Sequence, residues 1–224
     1  MKILALILCL PLALAAQTAA PVKKPDSSLA PITDTPGLPR VLLIGDSISM
    51  GYTLPVREML KGKANVHRIP TNGSSSDVGL AKLQTWLGEG KWDVIHFNWG
   101  LHDLKHWKDG KLDDAGPVVN SLEAYEKNLR EIVKQLKATG AKLVWATTTP
   151  VPAGADGRLA GDDVKYNEAA ARVMKAEGVA IDDLHALATS RLAEIQREKN
   201  VHFTEPGSRV LAEKVTASIV AQLR

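Results

Sequence analysis

Apolar residues along this chain follow two alternating rhythms. Short unbroken runs at Val41-Leu42-Leu43-Ile44, residues 66–69, Val94-Ile95-His96-Phe97, residues 143–148 and Val179-Ala180-Ile181 read as strands buried on both faces. Between them the apolar positions recur at helical spacing. Residues 54–60 form one such stretch. Val78, Leu80, Leu83, Trp86 and Leu87 mark a second, ending near Gly88. Leu122, Leu129, Ile132, Val133 and Leu136 stripe a third, closed by Gly140. Residues 164–177 stop at Gly178, residues 184–195 follow, and residues 206–223 begin with Pro206, where proline suits a first turn. Strand alternating with helix predicts an α/β fold, a parallel sheet covered on both faces in three α/β/α layers. Sites in such sheets lie at the carboxyl ends of the strands. Gly45-Asp46-Ser47, residues 98–103 and residues 147–152 are therefore expected on one edge.

The first forty residues break the rhythm. Lys2, an apolar run over residues 3–15 and small residues at Ala13, Ala15, Thr18 and Ala20 read as a secretory signal peptide spanning residues 1–20. The run is short for a membrane span. Residues 21–39, rich in Pro, Ser, Thr and Asp, read as a flexible linker to a domain over residues 40–224. The predicted location is secreted or periplasmic, with no stable membrane insertion once the signal is removed. Cys9, the only cysteine, would leave with it, so the remainder has neither a cysteine nucleophile nor a disulfide. Without Lys2, 27 basic residues face 25 acidic ones. So small an excess argues against a nucleic-acid partner.

Ser47 is the first candidate for chemistry. A glycine before it permits a tight turn, and a helix from about Ser49 or Met50 would aim N–H groups at developing negative charge. Asp46 and Ser47 serve equally as helix caps. His202, in a loop before the last helix, is a candidate base that would activate the hydroxyl. Asn98-Trp99-Gly100-Leu101-His102-Asp103 concentrates polar groups at a strand end, and Asn72-Gly73 follows the second strand.

Together these blocks resemble the SGNH hydrolases, the GDSL-type esterases and lipases, over most of residues 41–224. The resemblance implies a flavodoxin-like sheet of five parallel strands and a serine esterase working through an acyl-enzyme. It implies Ser47 as nucleophile, His202 as base and the Gly73 N–H as an oxyanion donor. Two positions depart from the family pattern. His102 stands where an asparagine amide binds the oxyanion, so an imidazole N–H, or an amide from Asn98 or Asn72, would serve. Lys199 stands where an aspartate orients the base, which leaves Asp46, Asp103, Glu198 and Asn200 as supporting or orienting candidates. No cofactor is implied. The expected partner is a small-molecule or glycan ester, with acetyl or another short acyl group favoured. Lipase, lysophospholipase and thioesterase chemistry stay open, as does oligomeric state.

Two rival readings use the same residues. His102 and His106, four apart, with His96, would make a zinc-dependent hydrolase. Trp99 and Trp107 beside the site would make a carbohydrate-binding protein with weak catalysis or none, while Trp86, Trp92 and Trp145 read as core. Residues 147–152 and the polar loop 104–117 are expected to border the pocket.

Overall fold

The computed structural model describes residues 26–224. The predicted signal peptide lies outside them. Five parallel strands form the sheet: β1 (Arg40–Ile44), β2 (Asn65–Arg68), β3 (Val94–Phe97), β6 (Lys142–Ala146) and β7 (Ala180–Asp182). Their order is β2-β1-β3-β6-β7. Ile44 pairs with Phe97, and Phe97 with Trp145, so the predicted loops do leave the sheet side by side. β1 and β3 are buried along nearly their whole length because helices cover both faces. α1 (Ser47–Met59) packs on α7 (Glu205–Leu223). α2 (Ser76–Leu87) packs on α3 (Leu122–Lys137), and α3 on α4 (Asp162–Glu177). The α3 stripe Leu129, Ile132, Val133 and Leu136 is fully buried, as its spacing predicts.

Four expectations change. α1 begins at Ser47 itself, and Pro55, which interrupts a helical pattern in sequence, lies inside it. The stretch 184–195 is two helices, α5 (Leu184–Ser190) and α6 (Leu192–Ile195), broken at Arg191. Loop 104–117 carries a small antiparallel hairpin of β4 (Trp107–Lys108) and β5 (Lys111–Leu112). Asp109 and Gly110 both have positive φ at its tip, the Asp-Gly pairing that suits a two-residue hairpin turn.

The fourth change concerns the linker, whose described part, residues 26–39, is a strap on the domain. Asp26 caps a 3₁₀ turn through the Ser28 N–H, and Ser28 is buried. The Asn65 side chain accepts from the Thr35 N–H and donates to the Thr35 and Leu38 carbonyls. Arg57 reaches the Ala30 carbonyl, and Arg40 bonds Asp34. Composition resembling a linker did not report these bonds, because their partners lie elsewhere in the chain.

Candidate active site

The turn after β1 is tied down from below. Asp46 caps α1 by accepting the Ile48 N–H at 2.9 Å, and its own carbonyl accepts from Ser49 Oγ at 2.7 Å. Arg68, at the end of β2, is buried under the turn. Its Nη2 donates to the Gly45 carbonyl (2.9 Å), the Asp46 carbonyl (3.0 Å) and Ser49 Oγ (2.6 Å). Its Nη1 holds the Ile69 and Thr71 carbonyls. Burial lowers the Arg68 pKa to about 10, which still leaves it charged at neutral pH. In sequence Arg68 is one cation at a strand end, and nothing marks it as the clamp of the turn that carries Ser47.

Ser47 Oγ lies 2.9 Å from His202 Nε2. The residues are 155 positions apart, joined because α1 and α7 pack side by side. On the far side of the ring, His202 Nδ1 lies 2.8 Å from Asn200 Oδ1, and the His202 backbone N–H donates to the same oxygen at 2.9 Å. A backbone N–H only donates, so the shared atom must be the amide oxygen rather than the nitrogen. An oxygen acceptor requires the proton on Nδ1. The neutral imidazole then presents the lone pair of Nε2 to the Ser47 hydroxyl, the tautomer a general base needs. Burial holds the His202 pKa below its usual value, with Asp46 opposing and Arg197 and Arg158 adding to the fall. Burial therefore favours the neutral ring.

Of the orienting candidates, Asn200 alone touches the ring. Glu198 is exposed and makes no hydrogen bond or ion pair. Asp103 is fully buried elsewhere. Its Oδ1 accepts from the Ser76 N–H and Oγ at the start of α2 and from the Asn120 amide. Burial raises its pKa to about 6. Asp103 fixes the loop after β3 to α2 and does not reach His202.

The oxyanion candidates also separate. The Gly73 N–H donates to the Gly45 carbonyl at 2.9 Å, so it ties the two loops together and is not directed at a substrate. A side chain at Gly73 would meet that carbonyl at 2.8 Å. The Asn98 amide donates to the Ala146 carbonyl at 2.8 Å and buckles β3 to β6. Asn72 uses its oxygen on the Ser74 N–H. There remain the Ser47 N–H, in the open first turn of α1, His102, and the amide N–H groups of Asn72, which its bond through oxygen leaves free. His102 is half-buried, and burial lowers its pKa. Asp46 pulls the other way, while Lys105, Arg158 and His202 add to the fall. A neutral His102 keeps one ring N–H to donate.

The rival arrangements do not assemble. His96 pairs with Asp182 in the fully buried interior. His106 Nδ1 bonds the Gly116 carbonyl, and its Nε2 lies 3.5 Å from Asp162. Among the described residues no three His, Cys, Asp or Glu side chains converge as metal ligands. Trp99 is core, its Nε1 bonded to the Gly73 carbonyl, and only Trp107 is exposed. Gly100 has φ +152°, and a side chain there would strike Thr148 Oγ1 at 2.0 Å, so both backbone and space call for glycine. Residues 147–149 are buried and do not line the cavity beside Ser47 and His202. The cavity beside the pair, about 660 Å³, lies toward the groove between α1 and α7. Ser47, His202, Met50, Leu54, Arg197 and Phe203 line it, and it reaches Asp26 of the strap.

The family model described as GDSL-like lipase/acylhydrolase matches residues 43–210, 168 of the 224 positions. No curated relative matches the chain in sequence. Among solved structures, the acetyl xylan esterase AlAXEase superposes with a TM-score of 0.67 at 18% identity, over 80% of this chain and 99% of its own. A lipase/acylhydrolase from Enterococcus faecalis gives 0.69 at 18%, over 82% and 96%. A variant of Axe2, an acetyl xylan esterase from Geobacillus stearothermophilus, gives 0.65 at 18%, over 81% and 94%. At such identities the likeness is one of fold.

Proposed function

The chain belongs to the GDSL-like lipase/acylhydrolase family, and we propose that it hydrolyses short acyl esters on carbohydrate through an acyl-enzyme on Ser47. The observation that carries the reading is the 2.9 Å contact of Ser47 Oγ with a His202 whose tautomer is set by Asn200. His202 Nε2 takes the hydroxyl proton as Oγ bonds to the ester carbonyl carbon. The carbonyl oxygen becomes an oxyanion, held by the Ser47 N–H and the His102 ring N–H. The carbon–oxygen bond to the alcohol breaks, and the alcohol leaves with the proton from His202. Water then repeats the sequence on the acyl-enzyme, with His202 again base and then acid, and releases the carboxylic acid.

A carbohydrate substrate is supported by the character of the cavity. Its walls mix apolar Met50, Leu54 and Phe203 with charged Glu58, Arg197, Glu205 and Arg209, unlike the apolar tunnel a long acyl chain needs. Two of the solved relatives named above are acetyl xylan esterases. Export is part of the proposal, on the strength of the apolar run at residues 3–15. A fluorophosphonate should label Ser47, located by peptide mass spectrometry. Ser47→Ala should lower turnover of p-nitrophenyl acetate by a factor of about 10⁴ or more. Full turnover in that variant would overturn the assignment.

A further inference from the structure

Loop 152–158 lies between the two loops that carry His102 and His202. The His106 N–H donates to the Gly157 carbonyl at 2.8 Å, stitching it to the loop after β3. On its other flank, a side chain at Gly154 would sit 3.2 Å from the Lys199 side chain, in the turn before His202. At the centre is Arg158, half-buried. Its Nε donates to the carbonyl of Leu101, the residue before His102, at 2.8 Å, and its Nη1 to the Asp156 carbonyl at 3.3 Å. Two backbone carbonyls thus fix the plane of the guanidinium and leave three of its five N–H groups for other partners. The guanidinium is close enough to both site imidazoles to lower their pKa values.

What Arg158 lacks is a carboxylate. Asp162 is engaged by Lys165 and His106, and Asp46, which caps α1, acts on Arg158 only through its charge, without a contact, against the fall in pKa that burial causes. Asp156 meets Arg158 only through its backbone carbonyl. Among the described residues neither Arg158 nor the neighbouring Lys105 has an ion-pair partner. Lys105 lies 4.4 Å from the centroid of the exposed Trp107 ring. A partly desolvated, pre-oriented cation with no carboxylate in contact is costly to keep, and the cost falls when an anion supplies that contact.

We propose that Arg158, with Lys105 beside Trp107, forms an anion-binding subsite against the loop that carries His102, and that the acyl ester cleaved at Ser47 is carried by an acidic sugar, carboxylated or sulfated. The planar fork matches the paired oxygens of either group, and an aromatic face beside the cations suits a charged sugar ring. The proposal rests on the ester-hydrolase reading for its chemistry but not for its binding, so the two are tested apart.

Binding is measured first by calorimetry on Ser47→Ala, with oligogalacturonate, a sulfated galacto-oligosaccharide and neutral xylo-oligosaccharide as probes. One acidic probe should bind at least ten-fold tighter than the neutral one, and Arg158→Gln in the same background should erase the difference; which acidic probe wins identifies the anion. Turnover is measured next on O-acetylated forms of the same sugars. The ratio of kcat/KM for acidic over neutral ester should exceed ten in the native protein, through KM, and fall to near one in Arg158→Gln, with Arg158→Lys between. Equal binding of acidic and neutral probes, or a preference that survives Arg158→Gln, overturns the subsite. If kcat falls equally on both esters, Arg158 acts on the oxyanion instead, and the subsite is again overturned. Hydrolysis of no ester overturns the enzyme reading alone, since the binding comparison still decides the subsite.

Discussion

Ser47 and His202 meet at hydrogen-bonding distance, yet their supports are built in opposite ways. The nucleophile turn is anchored in the core by partners remote in sequence. Its Gly45 carbonyl alone accepts from both Gly73 and Arg68. The base sits on an exposed turn held mostly by its own bonds, with Gln196 as its tie to the Pro150 carbonyl. The Arg197 N–H closes onto the His202 carbonyl, the Asn200 N–H onto the Arg197 carbonyl, and Asn200 Oδ1 takes two donors from His202. Damage to the first support should therefore act through the fold. Damage to the second should act through the chemistry of one ring and leave the fold standing.

Arg68→Met tests the first half and should have the larger effect. It removes five hydrogen bonds, to four carbonyls and a hydroxyl, all but the Thr71 carbonyl buried. A loss of about 3–5 kcal/mol is expected from a disrupted buried network of this kind. Thermal unfolding should register it as a midpoint lower by roughly 10 °C. An unchanged melting curve would break the contrast.

Asn200 tests the second half. Asn200→Ala frees the ring, and kcat should fall by a factor of about 10–100 while the melting midpoint barely moves. Asn200→Asp should do the reverse, because a carboxylate at Oδ1 stabilises the imidazolium that forms in each step. The pH profile separates these effects. In the native protein burial favours the neutral ring, so activity should rise with pH through a midpoint below 6.5, the usual histidine value. An added carboxylate favours the charged ring and should move that midpoint upward by about one unit. If Asn200→Asp shifts neither kcat nor the midpoint, Asn200 is not what orients the base. In the serine-protease template an asparagine in place of the orienting aspartate fails because the tautomer is wrong. Here the His202 backbone N–H prevents that error by claiming the same oxygen.

The smallest effect belongs to Lys199, whose φ of +51° is strained for a residue with a side chain. Lys199→Gly should stabilise the turn by about 0.5–1 kcal/mol, read as a higher denaturant midpoint. A loss of stability would mean that the Lys199 side chain contributes more than its backbone costs.

The same contrast explains what could be read in advance. Strands and helices were legible because burial imposes a period on the residues themselves. That Ser47 and His202 would meet was legible because the blocks resembling the family supply those residue types in that order. Asn200 could be proposed only as one of several neighbours, since its spacing of two from the histidine differs from the family's three. The choice among them depends on a turn geometry that begins with a left-handed Lys199. Arg68, the engaged N–H of Gly73 and the sheet buckle at Asn98 were not legible, because each is defined by a partner 23 to 48 residues away. The hairpin at Asp109-Gly110 was different: its signal stood in the sequence, masked by the polar character of the loop.

The strap has a practical consequence for how the enzyme is presented to its substrate. Asp26 lies on the wall of the cavity that contains Ser47, so any cargo joined on the N-terminal side enters the domain at the mouth of the active site. A fusion partner or surface attachment at that end would crowd incoming substrate. Attachment after Arg224, where the chain leaves α7 beside Lys142 at the start of β6 and the opposite end of the sheet, would leave the opening clear.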